Sequence, residues 1–599
     1  LHWWTPSSFV LYSHSADVKL KELRRRRAEC SVELRKQKRE NEMMKRRNVD
    51  LSEQFESEGS SNEQKLESLS KDGTPKLTVS EAVVILQNNP SVEQMRCCFE
   101  AIRRLLSRSK TPPIDEVIKS GLVTALVQAL SVSDEKVQFE AAWGITNIVS
   151  GTTEQTVAVV NEGALPPLVQ LCYSKNKALA EQALWAMANV IGDSAQLRDQ
   201  AVECGVLEAL DYVVGKVEEL SEEFARTIAW TYSNICRHKK PSLSIAVLRR
   251  LAPAIVKLLS HKASDNPVRQ DACWALSYLT DGSDEQIKVA GDANCMPALM
   301  PLVQSGNDAE VAPAIRVFGN FATGSDDLTQ MVVDAGVLEC IDHVIRSAKS
   351  LSIEKECCWL LSNVIAGTHA QIQAVLDARL LPTIFTALRD GDFRSKFEAS
   401  WAVSNLAHGG SSAQVMELSN DEYITVLCNL LDVPNADFIC NLLDTLFIVL
   451  KTAQNLYPDR LKQIEDSVEG DFRSKFEASW AVSNLAHGGS SAQVMELSND
   501  EYITVLCNLL DVPNADFICN LLDTLFIVLK TAQNLYPDRL KQIEDSVESS
   551  GGLDRLEMLQ ENENTRVYEW SYKIIEQFFT DEADEQIDDE IPDDQPINF

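Results

Sequence analysis

Apolar residues recur every three or four positions along most of this chain, the spacing that lines one side of an α-helix. Across residues 161–192, GALPPLVQLCY sets Leu165, Leu168, Val169 and Cys172 on one stripe, a polar SKNK interrupts, and ALAEQALWAMANVIG resumes the apolar spacing. Two helices are predicted there. Gly163 and Pro166 punctuate the start of the first, and Gly192 is expected as the C-cap of the second.

The second helix carries a phrase that returns: apolar, Trp, three residues, Asn. It reads WGITN at Trp143, WAMAN at Trp185, WTYSN at Trp230, WLLSN at Trp359, WAVSN at Trp401 and WAVSN at Trp480. WALSY at Trp274 puts Tyr278 in the Asn place, and RVFGN puts Arg316 in the Trp place. From Trp143 to Trp401 the successive steps are 42, 45, 44, 42, 43 and 42 residues. That is the period of armadillo and HEAT repeats, units of two or three helices that bury their apolar faces only by stacking into a solenoid. The phrase helix is expected to be the last and longest of each unit.

Trp and Asn four apart share one helix face, so stacking turns them into a ladder with a rung every ~10 Å. The Asn amide offers a donor and an acceptor to the main chain of an extended peptide. Adjacent indoles form slots for Lys or Arg stems, with cation–π attraction of about 0.5 to 2 kcal/mol each, and acidic residues at the rim would receive the charged heads. A single Trp at helical spacing commonly packs in a core, and an Asn beside it commonly makes a buried structural bond. Six full pairs in register shift the balance, because Leu would fill a core equally well and seven of the ten Trp occupy this one place.

Charge points the same way. Lys and Arg total 56 against 89 Asp and Glu, a net of −33 that favours a basic partner and disfavours direct binding of nucleic acid. Residues 19–47 alone hold 13 basic and 5 acidic side chains, which leaves −41 on the rest. No apolar run approaches the ~18 residues that cross a bilayer, so no membrane partner is expected. The opening LHWWTPSSFVLYSHSADV has neither a basic flank nor a small-residue cleavage pattern and is not read as a secretory signal; a start at Leu1 suits a fragment or a misplaced start. Fifteen cysteines, among them Cys97, Cys98, Cys236, Cys273, Cys357 and Cys358, sit in apolar segments without CxxC spacing, which suits buried thiols in a reducing compartment. GxSxG, HExxH and phosphate-cradling Gly-rich loops are all missing, the eight His are dispersed, and neither catalysis nor a cofactor or metal is expected.

Taken together, these phrases resemble importin-α, the adaptor that carries cargo with Lys/Arg-rich nuclear localisation signals, over about residues 19–580. GTTEQT at Gly151, NVIGDS at Asn189, YLTDGSDEQ at Tyr278 and SKFEASWAVSN at Ser395 and Ser474 are similar to that family's phrases, and RRRR, VELRKQKR and KRRN resemble its importin-β-binding segment. The resemblance implies an all-α fold, an armadillo-repeat right-handed superhelical solenoid with a flexible basic N-terminal arm and an acidic C-terminal tail. It implies a major cargo site of Trp143, Asn147, Gly151, Thr156, Gln182, Trp185, Asn189, Asp193, Trp230, Asn234 and Asp271. It implies a minor site of Arg316, Asn320, Asp326, Glu356, Trp359, Asn363, Glu398, Trp401 and Asn405. Thr227 stands where the family often has Asn. The importin-β-binding and autoinhibitory residues would be Arg24, Arg25, Arg26, Arg27, Arg35, Lys36, Lys38, Arg39, Lys45, Arg46 and Arg47. Residues 28–47 would form a helix on importin-β; without that partner, Lys45, Arg46 and Arg47 would occupy the chain's own cargo site. NTRVYEWSYKIIEQFF resembles the region engaged by the export receptor that recycles the adaptor, with the nuclear pore met indirectly and the protein shuttling between cytoplasm and nucleus. The chief rival is an armadillo scaffold of the junctional or signalling kind, which binds acidic or phosphorylated tails and needs a basic groove.

The expected organisation is an unassigned 1–18, a basic segment 19–48, a flexible linker 49–76, the solenoid 77–580 and an acidic disordered tail 581–599. Residues 391–469 and 470–548 are identical at all 79 positions. At the internal junction IEDSVE meets GDFRSKFEASW with no intervening middle helix, which reads as a recent duplication or a gene-model error and predicts poor packing near residues 468–472. Trp480 and Asn484 of the second copy are expected not to bind cargo.

Overall fold

The computed structural model describes residues 45–47, 77–107, 111–261, 267–456 apart from 432 and 434, then 460, 482–483, 486–487 and 491–579 apart from 513. Arg24 to Arg39, Trp480, Asn484, residues 468–472 and the acidic tail lie outside them. Among the described residues the secondary structure is helical, with no strand. The chain divides between Leu380 and Leu381 into two compact units.

In the first unit, one repeat shows why this sequence folds as it does. Thr152 caps Thr153–Asn161 through a capping box with Gln155. Gly163 then turns the chain at φ +82°, a conformation that costs other residues a Cβ clash. Leu165–Leu171 follows with Pro166 in its first turn, where no N–H is missed. The long helix Lys177–Asp193 buries Leu179, Ala183, Leu184, Met187, Val190 and Ile191. The expected two helices are present, but Gly192 is not the C-cap. It lies inside the last turn, buried, with its carbonyl accepting Arg237 Nη2 at 2.6 Å; Ser194, extended, ends this helix and caps the next.

Each Trp-place helix of this unit packs on the next: Val92–Leu106, Glu135–Val149, Lys177–Asp193, Glu222–Arg237, Pro267–Thr280, Asp308–Ala322 and Leu351–Ile365. It is the longest of its repeat except beside Trp274, where Ile245–Leu259 is one residue longer. The Asn residues tie the layers together: Asn189 Nδ2 donates to Thr146 O at 3.2 Å, Asn234 Nδ2 to Ala188 O at 2.9 Å and Asn320 Nδ2 to Ser277 O at 2.9 Å.

The second unit contains Phe393–Gly409, which carries Trp401 and packs on Ala436–Leu456, and Ala515–Leu535, which packs on the C-terminal helix Thr565–Phe578. Its two identical copies differ in packing. In the first, Leu381–Asp390 covers Asp421–Asn429, Phe385 stacks on Tyr423 at 3.9 Å and Val426 is 8 % exposed. Leu381–Asp390 precedes the duplicated block and was not copied with it. The second copy's Val505, in Asp500–Asn508, is 54 % exposed, and Tyr502 lies instead 6.0 Å from Phe447.

Candidate functional site

The phrase helices of the first unit converge on one segment, residues 45–47, which lies outside any helix and is half-buried. Arg46 is held by its main chain. Its N–H donates to Asn189 Oδ1 at 2.8 Å, and its carbonyl accepts from Asn189 Nδ2 at 3.0 Å and Trp185 Nε1 at 2.9 Å. These contacts read no side chain. The Arg46 guanidinium lies over Trp230, 4.5 Å from the ring centre, and pairs with both Asp271 oxygens at 3.1 and 3.3 Å. Lys45 enters a pocket of oxygens: Gly151 O at 2.9 Å, Thr156 Oγ1 at 2.8 Å and the Asp193 carboxylate.

Depth sets the electrostatics. With Lys45 and Arg46 seated on them, the side chains of Asp193 and Asp271 are only 2 % and 3 % exposed. Asp193 Oδ1 accepts from Thr153 at 3.3 Å while Oδ2 is buried without a hydrogen bond, an arrangement that favours a bound ammonium. Burial lifts the Asp271 carboxyl above the usual carboxylate range, against the opposing pull of Arg46 and of Arg226, 3.7 Å away. The same burial depresses Arg46, with Asp271 opposing.

The remaining candidates act around these contacts. Trp185 is half-buried and edge-on to Trp230 at 6.5 Å; Trp230 itself is 1 % exposed with Arg46 over it. Gln182 Nε2 donates to Thr146 Oγ1 at 2.6 Å and Asn147 Nδ2 to Ser107 Oγ at 3.1 Å, so both amides join repeats. Trp143 carries the guanidinium of Arg103 at 4.4 Å. Arg316 stacks on Trp274 at 5.3 Å and pairs with Glu356 at 2.8 Å, and Lys355 reaches Glu356 at 3.3 Å. Trp359 is 2 % exposed and packs where a side chain on Gly319 would stand. Asn320 and Asn363 are buried, and Asp326 is exposed with its carbonyl accepting from Gln371. In the second unit Glu398 and Asn405 are buried, and Trp401 is half-buried edge-on to Phe397 at 6.3 Å. Sequence reading missed Arg103, Glu140, Thr153 and Arg226. Arg103 and Ser107 could have been found by running the period one step upstream of Trp143.

Stacked three-helix units, with a Trp/Asn ladder that holds the chain's own residues 45–47 by the Arg46 main chain, define an armadillo-repeat protein. The Armadillo/beta-catenin-like repeat family matches residues 110–150, 152–191 and 368–408, the Atypical Arm repeat 542–594 and the Importin beta binding domain 12–99. Importin subunit alpha-2 of Caenorhabditis elegans is 44 % identical over 566 residues, 94 % of this chain and 91 % of that protein. Importin subunit alpha-3 of Arabidopsis thaliana is 32 % identical over 576 residues, 96 % and 92 % of the two chains. The chain belongs to the importin α family, and it is a transport adaptor, not an enzyme. Its fold is similar to the crystal structure of an engineered protein, with a TM-score of 0.51 at 21 % identity over 84 % of this chain and 98 % of that one.

Proposed function

We propose that this chain is a nuclear import adaptor that holds Lys/Arg-rich localisation signals on its Trp/Asn ladder and links them to importin-β through its basic N-terminal segment. A one-cluster signal takes the Trp185–Asp271 rungs, and two-cluster signals also use the Trp359 and Trp401 pairs. Without importin-β, Lys45 and Arg46 occupy the cargo place themselves, so loading is autoinhibited in cis at the high local concentration that a tether imposes. The export receptor engages the C-terminal repeat, and the protein shuttles between cytoplasm and nucleus, meeting the pore through its partners.

One observation carries this reading: Asn189 and Trp185 bind the main chain of Arg46, while the side chains of residues 45 and 46 meet only features that suit any Lys and Arg. An extended peptide with the same two residue types can replace them. The rival scaffold reading predicts a preference for acidic ligands, which the buried Asp193 and Asp271 would repel. The test is fluorescence anisotropy with a Lys/Arg-rich peptide and an acidic one. The basic peptide should bind, and Asp193→Lys with Trp185→Ala should cut its affinity by orders of magnitude while circular dichroism stays unchanged. Preference for the acidic peptide would refute the proposal.

A further inference from the structure

Two guanidinium groups share the Asp271 carboxylate. Arg46 of the basic segment meets its oxygens at 3.1 and 3.3 Å, and Arg226 Nε stands 3.7 Å from one of them. Arg226 lies in Glu222–Arg237, four residues before Trp230, so it shares a helix face with the indole over which Arg46 lies. Arg46, Arg226, Trp230 and Asp271 thus form one cluster with two cations and a single carboxylate.

The two cations are held differently. Arg46 keeps a second grip on the Trp230 ring, 4.5 Å from its centre, and its main chain is bound by Asn189 and Trp185. The Arg226 side chain is 49 % exposed and stands just beyond hydrogen-bond distance of Asp271, and its charge opposes that of Arg46. When a basic chain leaves the groove, Asp271 loses its nearer cation. A buried carboxylate left unpaired is strongly unfavourable, and Arg226 needs to approach by only about 1 Å to form a full charge-assisted bond. A docking cation must then take the carboxylate back from Arg226. A guanidinium does so while spread over the indole, whereas an ammonium is a point charge that draws more of its hold from the carboxylate.

We infer that Arg226 is a positioning residue of the groove: it pairs with Asp271 while this place is empty and yields it to a docking cation, which makes the place favour arginine over lysine. The inference rests on the peptide-binding reading above and names what sets the preference at one rung.

The test uses three peptides that differ only at the residue following the lysine that enters the Asp193 pocket: arginine, lysine or alanine. Affinities are measured for the full chain, for Arg226→Gln, for Arg226→Lys, and for Asp271→Asn with and without Arg226→Gln. The cis Arg46 responds to these changes as the peptides do, so ratios between peptides are compared within each protein. The wild type should prefer arginine to lysine. In Arg226→Gln the lysine-to-alanine ratio should rise about 5- to 30-fold, more than an exposed ion pair gives and less than a buried one, and the arginine-to-lysine ratio should fall. Arg226→Lys keeps the charge and should lie nearer the wild type than Arg226→Gln does. Against Asp271→Asn, Arg226→Gln should move neither ratio. A loosened repeat or a general loss of repulsion would change all three affinities together and leave the ratios where they were. Unmoved ratios in Arg226→Gln overturn the inference, and so does an equal movement in the Asp271→Asn background or an Arg226→Lys protein that behaves as Arg226→Gln. If the arginine peptide does not bind the wild type, or ignores Trp185→Ala, the peptide-binding reading itself fails, and this inference with it.

Discussion

Asn189 uses one amide for two purposes. Its NH2 group reaches both the Arg46 carbonyl and Thr146 O of the preceding repeat, while its oxygen accepts the Arg46 N–H. The structural and the chain-holding roles that an Asn beside a Trp suggests are thus both present in a single side chain, and a buried amide with three of its four hydrogen-bonding places engaged is costly to replace. Which residues form rungs was legible because Trp and Asn recur together in a fixed place. How closely Asp193 and Asp271 are covered was not, since that depends on how Lys45 and Arg46 seat over them. Arg103 escaped notice because it breaks the Trp pattern while keeping its place. Protonation tests the Asp271 contact. Burial raises its carboxyl while Arg46 and Arg226 pull it down, so the charge pair with a docked arginine exists only while the carboxyl is ionised, and affinity should fall once pH drops through the raised value. Peptide titrations at falling pH should show this loss, and Asp271→Asn should bind weakly with little pH dependence. Equal pH dependence in both proteins would rule out Asp271 as the titrating group.

At the scale of the helix, the Trp359 rung depends on a small residue opposite its ring. A Cβ on Gly319 would overlap the six-membered ring of Trp359, so Asp308–Ala322 and Leu351–Ile365 approach as they do because that position has no side chain. Gly319→Leu should destabilise the first unit by about 1 to 3 kcal/mol through overpacking and shift Trp359 fluorescence. Unchanged melting and emission would show that the ring is not confined there. The helices themselves were readable from apolar spacing, with caps such as Thr152 and Gln155 visible as local pairs. Gly192 does not end Lys177–Asp193, although Gly is a common stop signal: it lies inside the last turn, where its carbonyl accepts from Arg237.

For the whole molecule, two features outweigh any single contact: the basic segment tethered to an acidic repeat array, and the exact copy of 79 residues. The copy contains Ala515–Leu535 but not the Leu381–Asp390 helix that packs on Asp421–Asn429 in the first, and Val505 is 54 % exposed where Val426 is 8 %. Sequence arithmetic exposed the missing helix, although the expected site of poor packing, residues 468–472, lies outside the described residues. Deleting residues 470–548 should give a protein that melts at higher temperature and in a sharper calorimetric transition, because the one remaining copy, with Asp421–Asn429, keeps its Leu381–Asp390 cover. A lower or broader transition would show that the duplicated block is an integrated part of the fold. The tether leads to the central claim, that the ladder grips extended basic chain and is occupied by the protein's own. The most direct measurement is the affinity of one Lys/Arg-rich peptide, without importin-β, for the full chain and for the same chain with Lys45, Arg46 and Arg47 all changed to Ala. Loss of the cis occupant should tighten binding by at least tenfold, given buried charge pairs worth about 3 to 5 kcal/mol when broken; equal affinities would contradict the account.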